Sequence, residues 1–401
     1  MEHLGFCTYR ADPDVWMRPA VEASDGTEYW EYVLLYIDDA SAILMNAKDI
    51  LNNEIGKYWT MKKDSIGPPT VYLGNKVSKV SLENGVSAWA FSSSQYIQSA
   101  VSNVEEYLKK TNKKLPTRAC TPFPSNYRPE IDITPKLNAT RLAYYQSLIG
   151  ILCWVVELGR IDITCKVLMM ASMMALPREG HLQTLLHIFG YLKAHHNIEL
   201  VLDHMIPDFD VELQIPRKNW RHTLFVDAKE IMPDKMPPPR GLGFTMIANV
   251  DSDHTGDEIT RRSCTGFIVF LNNSPIYWFS KKQNGIETSS FGSEFIAPKQ
   301  CCEYICGLQY KLHMMGIEVN GPAYIYGDNK SVLSNASVPE SVFKKKSNSI
   351  AYNFVREGSS SDEWRVTYVN TNDNVANLPT KPLSGEKRKT FTCRLLYHLY
   401  S

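Results

Sequence analysis

Acidic residues stand where short apolar runs end in the C-terminal part of this chain, and that placement constrains the fold more than any other feature. The apolar-led run over 244–250 delivers Asp251 and Asp253 at its tip. Two further β-rich runs, 266–271 and 276–279, are joined by Asn272-Asn273-Ser274-Pro275, a turn signal. A helical pattern begins near Ser289 and carries Glu294 in its first turn, and a later run over 323–327 ends at Asp328. The expected structure is an antiparallel meander whose first strand points a carboxylate at another on the next helix. Carboxylates gathered in this way repel one another unless a divalent cation neutralises them, so the arrangement asks for Mg²⁺. Three separate acidic strand or helix ends suit a two-metal phosphodiester hydrolase.

Four motifs occur in a telling order. They are Asp251-Ser-Asp253-His-Thr-Gly256-Asp257 with Arg261-Arg262-Ser263, then Ile276-Tyr-Trp278-Phe-Ser280-Lys281-Lys282-Gln283, then Ser293-Glu294-Phe295, and last Gly327-Asp328-Asn329. Together they resemble the ribonuclease H domain of copia-type retrotransposon polyproteins. Nearer the N-terminus, Tyr36-Ile37-Asp38-Asp39 lies between two apolar β runs and reads as a hairpin holding two acids at its turn. It resembles the reverse transcriptase palm motif. The closing stretch, Thr371 to Leu383, is similar to the family's final helix.

The resemblance implies an α+β chain. A partial reverse transcriptase palm and thumb remnant is followed by a ribonuclease H-like domain with a mixed five-stranded sheet and flanking helices. It implies metal-dependent cleavage of RNA in RNA–DNA hybrids, with Mg²⁺, or Mn²⁺ in its place, held by Asp251, Glu294 and Asp328. Asp38 and Asp39 are the corresponding metal-binding, catalytic acids of the palm. Arg261, Arg262, Lys281 and Lys282 are expected to meet backbone phosphates, positioning without reading sequence. The family's fourth acid falls at Asn377, which offers a carbonyl oxygen without charge and is expected to be a weak metal ligand. Pro379 replaces a helix-friendly residue, at an expected cost of about 3 kcal/mol. Met1 falls after the point where the family places its fingers and third palm acid. The polymerase site is therefore expected to be incomplete, the copy truncated, and an upstream polyprotein segment a missing partner. The competing expectation is a catalytically dead nucleic-acid-binding remnant with the same fold.

Composition sets wider bounds. Lys and Arg number 43 against 43 Asp and Glu, so nucleic-acid binding cannot be argued from total charge. Nine cysteines lack paired metal-ligand spacing, which points to reduced thiols in an intracellular compartment, cytoplasmic or nuclear. No apolar run is long enough to span a bilayer, and no membrane partner is expected. The expected organisation is a palm and thumb part over 1–115, a helical thumb and connection region over 116–203 and a Pro-rich linker over 204–240. A ribonuclease H-like domain over 241–385 and a C-terminal tail over 386–401 complete it. The C-terminal half is expected to be the independently stable unit.

Overall fold

The computed structural model describes residues 1–36, 39–62, 66–117, 119–124, 127–207, 216–287, 290–341 and 349–398. The chain opens with an antiparallel meander of β1 (Cys7–Tyr9), β2 (Asp12–Val21), β3 (Glu28–Tyr36) and β4 (Asp39–Ile43). A short helix α1 (Ala47–Asp49) runs into a π turn over Ile50–Glu54, which lays Ile50 and Ile55 against Val33 and Phe6. The β3–β4 register closes at Tyr36 opposite Asp39, so the two strands flank the expected acidic turn. Asp38 and the Asp39 side chain lie outside what the structure describes.

A second sheet begins with β5 (Val71–Tyr72), β6 (Asn75–Ser81) and β7 (Ser87–Ser92). Gly85, at φ +79°, supplies the left-handed residue that the β6–β7 turn requires. Helix α2 (Ser94–Lys109) follows, and Ile97, Val101, Val104 and Leu108 recur at helical spacing to form one buried stripe. That stripe packs with α3 (Ala139–Glu157), α4 (Thr164–Ala171) and α5 (Glu179–Ala194) in an all-helical core. Asn138 caps α3 by accepting from the Arg141 amide at 3.0 Å. Strand β8 (Ile198–Leu202) then returns antiparallel to β7.

The third sheet is built from β9 (Met246–Asp253), β10 (Cys264–Leu271), β11 (Ser274–Lys282), β12 (Ala323–Gly327) and β13 (Trp364–Tyr368). Its spatial order is β11-β10-β9-β12-β13, with β9, β10 and β11 antiparallel and β9, β12 and β13 parallel. This is the mixed five-stranded sheet with flanking helices that the resemblance implied. The β10–β11 turn is tighter than the sequence suggests. Asn272 takes φ +53° at the first of two loop residues, so Ser274 and Pro275 already belong to β11. Helix α6 (Ser290–Met314) crosses the sheet, with α7 (Lys330–Ser337) and α8 (Ser349–Ser361) beyond it. Gly358 permits the close approach of α8 to the buried Trp364 ring, where a Cβ would run into the indole. The Trp364 indole N–H in turn donates to Val355 O at 2.9 Å.

Residues 386–398 are more than a tail. Helix α9 (Asn377–Thr380) is followed by α10 (Gly385–Leu395) and by β14 (Tyr397–His398), which pairs with β8 and so joins the second sheet. Phe391, Leu395 and Leu396 share one core with Ile161 after α3, Ile198 of β8, Ile268 of β10, and Val375 and Leu378 in and before α9. A buried polar network reinforces the junction. Arg160 pairs with Asp162 through two contacts of 2.8 Å, and Tyr191 donates to Asp162 at 2.6 Å. Arg388, on α10, donates to the Tyr191 hydroxyl at 2.8 Å and to Cys120 O at 2.9 Å. A fragment starting at Gly241 would therefore expose an apolar seam and leave the Arg388 guanidinium without these acceptors. Its thermal melt is expected to lose cooperativity or to fall well below that of the full chain. Phe391→Ala in the full chain should cost about 3–5 kcal/mol by denaturant titration.

Candidate metal centre

Strand register creates the site. Tyr326 on β12 lies opposite Asn249 on parallel β9, and two residues beyond each stand Asp328 and Asp251. Side chains repeat every second residue along a strand, so the two acids arrive level with each other. Helix α6 brings Glu294 to them, and one carboxylate oxygen from each of Asp251, Glu294 and Asp328 lies within 4.8 Å of the others. These are the three acids the sequence singled out for the ribonuclease H part. Glu294 is the fifth residue of α6 as described, so it sits in the second turn rather than the first; Ser289 lies outside the described residues.

Asp251 is buried, while Glu294 and Asp328 are half-buried. Asp251 is 1% exposed, and its Oδ2 is a buried oxygen without a hydrogen-bond partner. Burial pushes the Asp251 carboxyl up to about 6, with Lys381 opposing the shift and Asp328 adding to it. Burial, then Asp251 and Asp328, push Glu294 up to about 9. A buried oxygen left unpaired between acids that resist ionisation is what a hard divalent cation would satisfy, and all-oxygen donors suit Mg²⁺ or Mn²⁺.

Lys381 is the residue that reading the sequence missed. Its Nζ donates to Asp251 Oδ1 at 2.9 Å and to Asn377 Oδ1 at 3.1 Å. Burial works against its charge, yet Asp251, Asp328 and Glu294 together hold its pKa above the ordinary lysine value. The available signal was the spacing of four between Asn377 and Lys381, which puts two side chains within reach along a helical turn. The local backbone is shaped to bring it there. Gly266, paired with Asp251 across β9–β10, lies beneath Pro379 and Thr380, and a Cβ there would run into the Thr380 hydroxyl. Pro379 carries no helix-breaking penalty, because it falls in the first turn of α9, where a missing N–H is tolerated.

Asn377 meets the cluster through the Lys381 ammonium. Its Nδ2 donates to Asn374 O at 2.8 Å and Thr371 O at 3.0 Å. Asn374 in turn donates to Val250 O at 2.9 Å, tying this loop to β9. Lys282, expected on phosphates, is instead ion-paired with Asp257, which also accepts from the Thr260 and Ile259 amides. It braces the loop after β9. Arg261, Arg262 and Lys281 remain exposed at the same end of the sheet, next to the Asp253–Cys264–Lys282 register.

No family model matches the chain. It is 27% identical over 293 residues to the retrovirus-related Pol polyprotein from transposon RE1 of Arabidopsis thaliana, covering 72% of this chain and 17% of the relative. It is 23% identical over 379 residues to the Pol polyprotein from transposon TNT 1-94 of Nicotiana tabacum, covering 92% of this chain and 24% of the relative. The chain is a relative of retrotransposon Pol polyproteins. It spans less than a quarter of the length of either of these two. Among solved structures, LC11-RNase H1 in complex with an RNA/DNA hybrid aligns at 9% identity and a TM-score of 0.26, covering 33% of this chain and 88% of that one. No helix among the described residues of this Pol relative is long and apolar enough to cross a membrane.

Two expectations follow for the metal-free protein. Glu294 is raised from an ordinary 4.5 to about 9, so the folded state holds a proton that the unfolded state releases. Stability contributed this way is present below about 4.5 and is lost as pH rises towards about 9. In EDTA the melting temperature should fall across that window. Glu294→Gln or added Mg²⁺ should flatten the slope, and a flat wild-type profile would count against a buried, uncompensated cluster. Asn377→Asp should destabilise the metal-free chain by about 1–3 kcal/mol in a urea melt, because a carboxylate cannot donate to the Thr371 and Asn374 carbonyls.

Proposed function

We propose that the domain of β9–β13 is a divalent-metal-dependent nuclease that cleaves the RNA strand of RNA–DNA hybrids, within a copia-type reverse transcriptase/ribonuclease H region. The observation that carries this reading is the convergence of Asp251, Glu294 and Asp328 from a strand, a helix and a strand end within 4.8 Å, with Asp251 Oδ2 buried and unpaired. Those three carboxylates would hold the cation, which when bound supplies charge neutralisation and Lewis acidity for the attacking water and the leaving oxygen. Arg261, Arg262 and Lys281 are exposed at the end of the sheet where β9 delivers Asp251 and suit contacts with backbone phosphates, positioning a duplex without reading its sequence. Gln283 keeps the α6 end in place, donating to Ser293 O at 2.9 Å and Thr265 Oγ1 at 3.0 Å. The Lys282–Asp257 pair holds the adjoining loop.

The test is cleavage of a labelled RNA–DNA hybrid by the full chain in Mg²⁺ or Mn²⁺. Asp251→Asn should reduce cleavage to background while changing hybrid affinity by less than about threefold, a difference under ~0.7 kcal/mol. The binding-only reading is favoured by one observation, the Lys381 ammonium lodged against Asp251. Hybrid bound at Arg261, Arg262 and Lys281 without metal-dependent cleavage in the wild type would make that reading the correct one.

A further inference from the structure

A cation already stands in this acidic cluster. Lys381 Nζ lies 2.9 Å from Asp251 Oδ1 and 3.1 Å from Asn377 Oδ1, and so bridges the catalytic strand to α9. Only one oxygen of Asp251, the buried Oδ2, is left without a partner. The two sides of this carboxylate are therefore unlike: one accepts from an ammonium, and the other has no partner, in a carboxylate that lies with those of Glu294 and Asp328.

The lysine is held by its surroundings. Its own amide donates to Asn377 O at 3.0 Å, and its carbonyl accepts from Lys166 Nζ of α4 at 3.4 Å. The Thr380 hydroxyl before it donates to Ala376 O, and both Pro379 and Thr380 rest on Gly266. Neutral Asn377 completes the arrangement, since its Nδ2 is committed to two carbonyls and only its oxygen can face the ammonium. An aspartate there would place a fourth negative group on the same side.

We propose that Lys381 is a built-in cation occupying the Asn377 side of the site, so that the cluster takes up one divalent ion, through Asp251 Oδ2, Glu294 and Asp328, and a second is excluded. This deepens the nuclease reading and rests on it for the identity of the site. An ammonium within hydrogen-bonding reach of Asp251 repels any dication that would share that carboxylate, and at this burial the repulsion is poorly screened. The pair of residues 377 and 381 thus sets metal stoichiometry.

The experiment is titration of the full chain with Mn²⁺, followed by calorimetry and by the electron paramagnetic resonance signal of free Mn²⁺, alongside cleavage of an RNA–DNA hybrid. The wild type should bind one Mn²⁺ at the cluster. Lys381→Met should bind the first ion about tenfold more tightly and admit a second, whereas Lys381→Arg, which keeps the charge, should bind one as the wild type does. Circular dichroism confirms that each variant is folded. Two ions in the wild type, or unchanged stoichiometry and affinity in folded Lys381→Met, would overturn the proposal even where the hybrid is cleaved. Tighter Mn²⁺ binding by Lys381→Met with no hybrid cleavage in any variant would support the proposal and defeat the nuclease reading instead. Absence of Mn²⁺ binding in both wild type and Lys381→Met overturns both.

Discussion

Mutual repulsion among Asp251, Glu294 and Asp328 is the constraint to which the rest of the C-terminal fold answers. Folding brings these acids together because β9 and β12 run parallel and end level, and α6 starts nearby. Each carboxylate loses water on burial, so the ionised cluster is costly without a counter-charge. Lys381 supplies part of that charge from a residue 130 positions away. To place it, the sheet gives up a side chain at Gly266, and a loop is tied to β9 through Asn374. These features make little sense singly and follow directly from the need to bring a cation to buried acids.

The same need ties the two halves of the chain together. Helix α9, which carries the approach to Lys381, rests against Ile161 and α4 of the helical region. Lys166, almost fully buried with its pKa lowered by desolvation, donates to the Lys381 carbonyl at 3.4 Å. Arg388 extends the contact through Tyr191 to the Arg160–Asp162 pair. The helical region is therefore part of the support of the acidic cluster, and the boundary near Arg240 divides the sequence more cleanly than it divides the core.

What could be read from the sequence was local. An apolar run of period two that ends in an acid announces both the strand and the carboxylate, which is why Asp251 and Asp328 were legible, and Glu294 followed from the helical pattern beside Phe295. Long-range pairings were not legible. Nothing near Lys282 announces that Asp257 will claim it, and nothing near Lys381 announces Asp251. Helix α10 was hidden by Lys387, Arg388, Lys389 and Arg394, which mask the apolar spacing of Phe391 and Leu395. Pro379 misled because a proline's cost depends on its place within the helical turn. The Asp38-Asp39 hairpin was legible as two strands, which β3 and β4 are, but its acidic side chains lie outside the described residues.

The pairing of β14 with β8 also sets an order of events during synthesis. Strand β8 takes β7 as one neighbour, made long before it, and β14 as the other, made some two hundred residues later. Until residues 397–398 leave the ribosome, the outer edge of β8 stays open and the seam around Ile161 and Ile198 lacks Phe391 and Leu395. A nascent chain in that condition presents an unpaired strand beside an apolar groove, the combination most prone to wrong pairing with another chain. The acidic cluster waits in the same way, since Lys381 is made 130 residues after Asp251. The nascent chain carries all three acids only from Asp328 onward, and the lysine that tempers them follows 53 residues later.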